Sequence, residues 1–234
     1  DLLDDDLGYA LHLALRRRFG AAAPQPFRLL DPDRAEPRLL GYAADPAGLL
    51  LPPPIPDPDG DRSAEALAEI FRTPFEAKAM PDAWPRGLRL RFEARLRPVR
   101  RHGSQVRAGR RAAGLAATGA EHDAFLSAVE RLARGSHDRT RESAYREWLA
   151  ERLSGAACLH AARLAAFRRT RVLRSLKGGG GRGRRGQGVE GPEAIMEGTI
   201  EILDSAAFVR LLARGVGRHA AFGYGMLLLR PGAG

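Results

Sequence analysis

The chain has 234 residues, 44% hydrophobic and 28% charged, a composition that excludes a largely disordered polypeptide. No apolar run approaches the roughly 18 residues of a membrane-crossing helix, and the single cysteine, Cys158, excludes a disulfide framework or a multi-cysteine zinc site. The net charge of +10 is uneven: residues 1–95 hold 13 basic and 16 acidic side chains, residues 96–234 hold 25 and 12, so the second half calls for an acidic partner, nucleic acid phosphate foremost.

In chain order, the first expected element is a helix over 3–18. Leu3, Leu7, Leu11 and Leu15 recur every four residues. Asp4, Asp5 and Asp6 lie in its first turn, Arg16, Arg17 and Arg18 in its last, and Gly20 follows, so the charges complement the helix dipole. Short strands are expected at 26–30 and 38–43, joined by a turn rich in Asp and Pro. Proline-rich 50–61 reads as a loop, 63–72 as a helix capped by Ser63, and 75–80 as a strand.

From Gly87 the pattern becomes strict alternation, a long strand over 88–100 with Leu88, Leu90, Phe92, Ala94 and Leu96 on one face. A polar stretch runs to about 120. Helices are expected at 121–134 and 141–153, strand-like segments at 157–173 and 192–203, a helix at 205–213 and a final strand at 224–229. Counting the adjacent helices as one layer, the order from residue 88 is βαββαβ. The first 80 residues read as the same unit without its opening strand, which a lost N-terminal segment would supply. The expected fold is therefore α+β, two ferredoxin-like (RRM-like) βαββαβ domains in tandem, at 1–86 and 87–234. The chain starts at Asp1 with no basic-then-apolar leader, so no secretory signal is expected; with one cysteine, a reducing cytoplasm fits.

Two segments of the second domain carry chemistry. Residues 168–187 hold Arg168, Arg169, Arg171, Arg174, Lys177, Arg182, Arg184 and Arg185, with no acid and with four consecutive glycines at 178–181. Between two paired strands this is a long cationic hairpin. Eight crowded charges repel one another until a phosphate-rich partner neutralises them, so RNA contact is expected here. Residues 215–225, GVGRHAAFGYG, place Gly215, Gly217, Gly223 and Gly225 in a G-x-G-x5-G-x-G pattern. The glycines follow a helix and precede a strand, which excludes the Rossmann arrangement, and no Gly-Lys-Ser/Thr follows, which excludes a P-loop. What remains is a loop whose backbone N–H groups and Arg218 can line a phosphate chain, with His219 a further RNA-contact candidate.

The glycine pattern and the strand MLLLRP at 226–231 resemble the C-terminal signature of CRISPR-associated RNA-processing endoribonucleases. LGYALHLALRRRFG at 7–20 and VEGPEAIMEGTIEILDSAAFVRLLARGVGRHAAFGYG at 189–225 resemble the CasE branch, the processing subunit of type I-E Cascade. The resemblance spans nearly the whole chain and is weakest at 50–60 and 101–120; the family's first strand is not present.

Tyr9 and His12, three residues apart, share a helix face that Arg16 extends by a turn. RNA cleavage without metal needs a base for the ribose 2′-OH, an acid for the departing 5′ oxygen, and cations for the charge on the phosphorane. Histidine suits either proton transfer, Tyr9 can orient the 2′-OH or share the transfer, and Arg16 or the hairpin arginines can hold the phosphate. The resemblance implies that His12 is the general acid/base; which step it catalyses stays open. The expected product ends are a 2′,3′-cyclic phosphate (or 3′-phosphate) and a 5′-hydroxyl; the resemblance also implies precursor-RNA cutting at the repeat stem-loop, retention of the guide RNA's 3′ hairpin, and partnership with other Cascade subunits, notably the backbone subunit. No metal, small-molecule cofactor or membrane is expected. The alternative is a non-catalytic RNA-binding subunit. His122–Asp123, His137–Asp138 and Asp4–Asp5–Asp6 read as caps rather than metal sites, and Phe222 and Tyr224 as packing residues of the last strand.

Overall fold

The alternation that begins at Arg89 builds the centre of the second domain. In the computed structural model, which describes residues 2–32, 37–45, 47–50, 75–101, 121–130, 139–174 and 187–232, strand β3 (Arg89–Leu96) lies between β7 (Gln187–Ile202) and β8 (Leu227–Pro231). Strand β6 (Ala157–Arg174) completes the sheet in the order β6-β7-β3-β8, every neighbour antiparallel. Helix α3 (Arg141–Leu153) enters between β3 and β6, and α4 (Ser205–Arg214) between β7 and β8. That connectivity is the ferredoxin-like βαββαβ plan expected for 87–234.

Period-two alternation sends Leu90, Phe92, Ala94 and Leu96 to the helix-covered face. There they meet Met196, Ile200 and Ile202 of β7, Tyr145, Trp148 and Leu149 of α3, and Phe208 and Leu211 of α4, all buried. Each helix starts where a side chain satisfies its orphan N–H groups. Thr140 accepts from Ser143 N at 3.1 Å, and Asp204 from Ala207 N at 2.6 Å. The opposite sheet face carries Arg89, Arg91, Glu93 and Arg95.

The first domain's described elements are helix α1 (Leu2–Phe19), strand β1 (Phe27–Leu30) and strand β2 (Arg38–Gly41), β1 and β2 forming a two-stranded antiparallel sheet. Leu11 and Leu15, from the predicted stripe, bury against Phe27 in a second, smaller core. Tyr42 donates its hydroxyl to the Leu227 carbonyl at 2.7 Å, and burial raises its pKa to about 12, so it keeps that proton. Arg28 of β1 pairs with Glu93 of β3 at 2.9 Å. These two bonds tie the halves together.

Several elements differ from the sequence reading. Residues 75–80 form no strand: all are exposed, and Phe75 sets its ring edge-on to Phe19 at 5.5 Å. Alternation alone does not make a strand when no edge receives its backbone groups. The strand expected over 88–100 stops at Leu96. Pro98 has no N–H for the ladder, Val99 N turns back to Arg97 O at 2.8 Å, and a new strand β4 (Val99–Arg101) pairs with β5 (Glu121–Asp123). The helix expected at 121–134 therefore opens as β5, and α2 spans only Ala124–Val129, capped by Asp123. The final strand starts at Leu227 rather than 224, because Gly223 and Gly225 both have φ of +83°, outside extended geometry. Strand β7 starts at 187 rather than 192. The loop at 51–61, the helix at 63–72, the bulk of the polar stretch 101–120 and His137–Asp138 lie outside the described residues.

Candidate active site and nucleic-acid interface

Helix α1 presents Tyr9, His12 and Arg16 beside buried Leu11 and Leu15, as the spacing predicts. Its partner on that side is the glycine loop. The Phe222 ring stands edge-on to His12 at 5.6 Å (66° between planes) and lies 6.2 Å from the Tyr9 ring and 5.9 Å from His219. Gly8 permits this approach: a Cβ there would come within 2.7 Å of the Phe222 carbonyl oxygen. A glycine in mid-helix costs about 1 kcal/mol relative to alanine, and that cost was the only sequence cue to the contact. His12 is half-buried and, with Arg16, Pro24, Gln25, Tyr42 and Asp45, lines a cleft of about 250 Å³.

Burial first, and then the charge of Arg16, push the His12 pKa below the usual 6.5. At neutral pH the ring is a neutral imidazole able to accept a proton. The limb of the pH–rate profile that reports His12 is expected below pH 6.5. Replacing Arg16 by glutamine removes a positive neighbour, raises the His12 pKa and moves that limb to higher pH; single-turnover rates from pH 4.5 to 8 check this.

The glycine loop owes its shape to close packing. Gly215, Gly217, Gly223 and Gly225 all have φ between +77° and +84°. A Cβ on Gly217 would sit 2.7 Å from the Trp148 ring, and one on Gly225 2.7 Å from the Val216 carbonyl oxygen. The backbone N–H groups of Gly215 and Gly225 donate to Leu211 O and Arg95 O, both at 2.8 Å. Those two donors are used inside the protein rather than offered to a phosphate, which corrects the expected role of these glycines. Gly217→Ala is expected to destabilise the protein by about 1–3 kcal/mol in urea denaturation. Gly87→Ala, with the same φ of +84° but nothing within 4 Å, carries the backbone strain alone and serves as the control.

Arg218 and His219 converge on one carboxylate that the sequence did not single out. Glu121 accepts from Arg218 Nε at 2.7 Å and lies 2.8 Å from His219 Nε2. The His219 and Glu121 side chains are only 2% and 3% exposed, so His219 supports the loop under Phe222 instead of facing outward as expected; Arg218 stays half-exposed. Tyr224 is buried, as read from sequence, but against a polar network. Its ring lies 4.5 Å from the Arg95 guanidinium and its hydroxyl donates to Glu193 at 2.8 Å.

The hairpin of β6 and β7 forms as predicted, paired from Ala157 opposite Ile202 to Arg174 opposite Gln187 with register shifts at 159–161 and 164–166. Strand β3 pairs with β7 only over residues 194–201, so the distal arms run past the sheet. Arg168 and Arg169 lie on the described arm, exposed, and Arg171 follows. Arg174 ends β6, while Lys177, Arg182, Arg184 and Arg185 lie outside the described residues. The charge argument needs one correction. Residues 168–187 contain no acid, but the returning arm does: Glu193 pairs with Arg168 at 2.8 Å, and Glu190 with Arg169 at 2.9 Å. Part of the expected repulsion is therefore balanced across the hairpin.

Glu193 is the junction of the site. It accepts from Arg95 at 2.6 Å, Arg168 at 2.8 Å and Tyr224 at 2.8 Å, joining the sheet, the hairpin root and the glycine loop. From Tyr224 the path continues through His219 (6.4 Å) and Phe222 to His12. Three segments remote in sequence thus meet at Glu193, and the glycine loop links that junction to His12. His122 is buried and bonds Ser127 through Nδ1 at 2.8 Å, and Asp123 caps α2, in keeping with the structural reading of that pair. Among the described residues no three His, Cys, Asp or Glu side chains converge as a metal site, and no helix is long and apolar enough to cross a membrane.

Residues 3–231 match the family model for "CRISPR associated protein". Among solved structures, the CRISPR endoribonuclease Cse3 bound to a 19-nucleotide RNA is 22% identical, with 97% of this chain and 92% of that chain covered and a TM-score of 0.54. Thermus thermophilus Cse3 bound to an RNA representing a pre-cleavage complex is also 22% identical, covering 97% and 91%, with a TM-score of 0.55. At this level of identity the likeness is one of fold, the tandem ferredoxin-like α+β architecture expected from sequence. No curated protein matches the chain.

Proposed function

The chain belongs to the CRISPR-associated protein family, and we propose that within it this protein is the CasE-type endoribonuclease that cuts precursor RNA at the repeat stem-loop. The observation that carries the reading is the setting of His12. A half-buried imidazole with lowered pKa stands beside Arg16 at a cleft, held by a loop that connects through Tyr224 and Glu193 to an arginine-bearing hairpin. The solved neighbours of the same fold are CRISPR endoribonucleases bound to RNA, which supports the substrate class.

The chemistry follows from those groups. A ribose 2′-OH placed against His12 loses its proton as the oxygen attacks the adjacent phosphate in line, and the 5′ oxygen leaves with a proton. The products are a 2′,3′-cyclic phosphate and a 5′-hydroxyl. His12 performs one of the two proton transfers, Tyr9 orients the hydroxyl or shares the transfer, and Arg16 stabilises the phosphorane. This scheme draws every proton and charge from side chains, and so is metal-independent. Arg168, Arg169, Arg171 and Arg174, with Lys177, Arg182, Arg184 and Arg185 beyond them, grip the stem through its phosphates. Arg218 and the glycine loop close the far side of the site.

Contacts to the stem survive a cut one bond away, so the product hairpin stays bound, as in a cytoplasmic type I-E Cascade particle where the backbone subunit adjoins this one. Residues 1–86 act as the catalytic unit and 87–234 as the RNA-gripping unit. The test uses end-labelled repeat RNA in EDTA, with end-group analysis of the products. Cutting that leaves a cyclic phosphate supports the reading. Tight binding without any cutting by the wild type overturns it in favour of a non-catalytic RNA-binding subunit.

A further inference from the structure

Resting on that reading, we infer that Arg91 and Arg230, directly opposite one another on the open face of the second sheet, form a second phosphate site for single-stranded RNA on the 5′ side of the stem. The register sets Arg91 of β3 against Arg230 of β8 on one side and Thr199 of β7 on the other, so the three side chains form one row across the sheet. The row lines an open hollow of about 400 Å³. Both arginines are exposed.

What distinguishes the pair is its electrostatics. Around it each arginine of the open face has a carboxylate: Arg89 has Glu201, Arg95 has Glu193, and Arg163 has Glu197. The two carboxylates in the hollow, Glu93 and Glu197, are occupied by Arg28 and Arg163. Among the described residues Arg91 and Arg230 have no carboxylate within ion-pair range. Like charges directly opposite in a sheet are destabilising, and an anion between them removes the repulsion while Thr199 offers a hydroxyl donor. Paired guanidinium groups match phosphate oxygens in charge and hydrogen-bond geometry.

The position fits a strand of RNA leaving the stem. Arg168 at the hairpin root faces Glu193, and Thr199 lies six residues further along β7, or about 20 Å at strand rise. On the same face, Arg95 lies between the two positions, carrying Tyr224 and the glycine loop that contacts His12. A row of the sheet with no aromatic side chain suits backbone phosphates better than stacked bases.

The test compares two RNAs bound to the full chain: the repeat hairpin from the CRISPR array of the same genome, and that hairpin with a ten-nucleotide single-stranded 5′ extension. Both carry a 2′-deoxy substitution at the cut site. Wild type is expected to bind the extended RNA about tenfold tighter, with a steeper dependence on salt. Arg91→Gln with Arg230→Gln is expected to abolish that advantage and flatten the slope of log K against log salt by about 0.7 for each phosphate lost. The double lysine variant, Arg91→Lys with Arg230→Lys, keeps the charge and most of the slope.

Equal losses on both RNAs, or an extension advantage that survives the glutamine changes, overturn the inference. So does competition by poly-glutamate equal to that by poly-uridylate, which assigns the face to an acidic protein segment. If wild type binds the hairpin and cuts its all-ribose counterpart while the glutamine variant keeps the extension advantage, only this pair's role falls. If wild type binds neither RNA, the functional reading falls with it.

Discussion

Replacing His12 by alanine is expected to slow single-turnover cutting of repeat RNA by about 10²–10⁴-fold, the usual worth of a positioned acid or base. Affinity for the uncut hairpin should change little if, as proposed, the grip comes from phosphate contacts of the arginine-bearing hairpin. The imidazole sits on the surface of α1, outside the Leu11–Leu15–Phe27 core, so the loss is not expected to reflect unfolding. Rates at saturating protein, in EDTA, with binding measured on a 2′-deoxy substrate, separate chemistry from affinity. An unchanged rate would remove His12 from the mechanism. Phe222→Leu gives a complementary check: it takes away the ring that holds and partly desolvates His12, so the His12 limb should move to higher pH even if the maximal rate falls little.

The second large effect is at Glu193. Burial alone would raise its carboxyl pKa, but the hydrogen bond and charge of Arg95, with further hydrogen bonds from Arg168 and Tyr224, hold it down at about 2 against an ordinary 4.5. A carboxylate with a depressed folded pKa contributes stability that is present above about pH 4.5 and is lost as pH falls towards 2. The size is about 3 kcal/mol. Glu193→Ala removes the carboxylate paired with Arg95, whose side chain is 22% exposed, and is expected to cost about 3 kcal/mol at pH 7. Glu193→Gln should flatten the acid side of the stability profile. Urea denaturation from pH 3 to 7 measures both. A variant as stable as the parent at pH 7 would show the junction to be incidental.

The depth of that junction explains why a charge count along the hairpin overstates its self-repulsion. Counting charges along 168–187 sees eight cations and no acid, because the neutralising Glu190 and Glu193 belong to the returning arm and meet Arg169 and Arg168 only through strand register. Likewise Glu121 sits almost a hundred residues from Arg218 and His219, and nothing in its local pattern announces a buried carboxylate. The strand expected at 75–80 does not form for the opposite reason: among the described residues no strand edge pairs with it.

Local periodicity was enough to specify most elements of the second domain. Apolar spacing of two or of three to four residues sets which face of each segment must leave water, and that holds whatever the partner is. Thus α1, α3, α4 and the long arms of β6 and β7 were all legible, as were the Tyr9–His12–Arg16 face and the family whose glycine pattern the chain carries. Which residues stand opposite one another was not legible, because it depends on register and on the path of the chain between elements. Only the folded protein brings Phe222 to His12, closes Glu193 over three partners and leaves Arg91 facing Arg230 across a sheet.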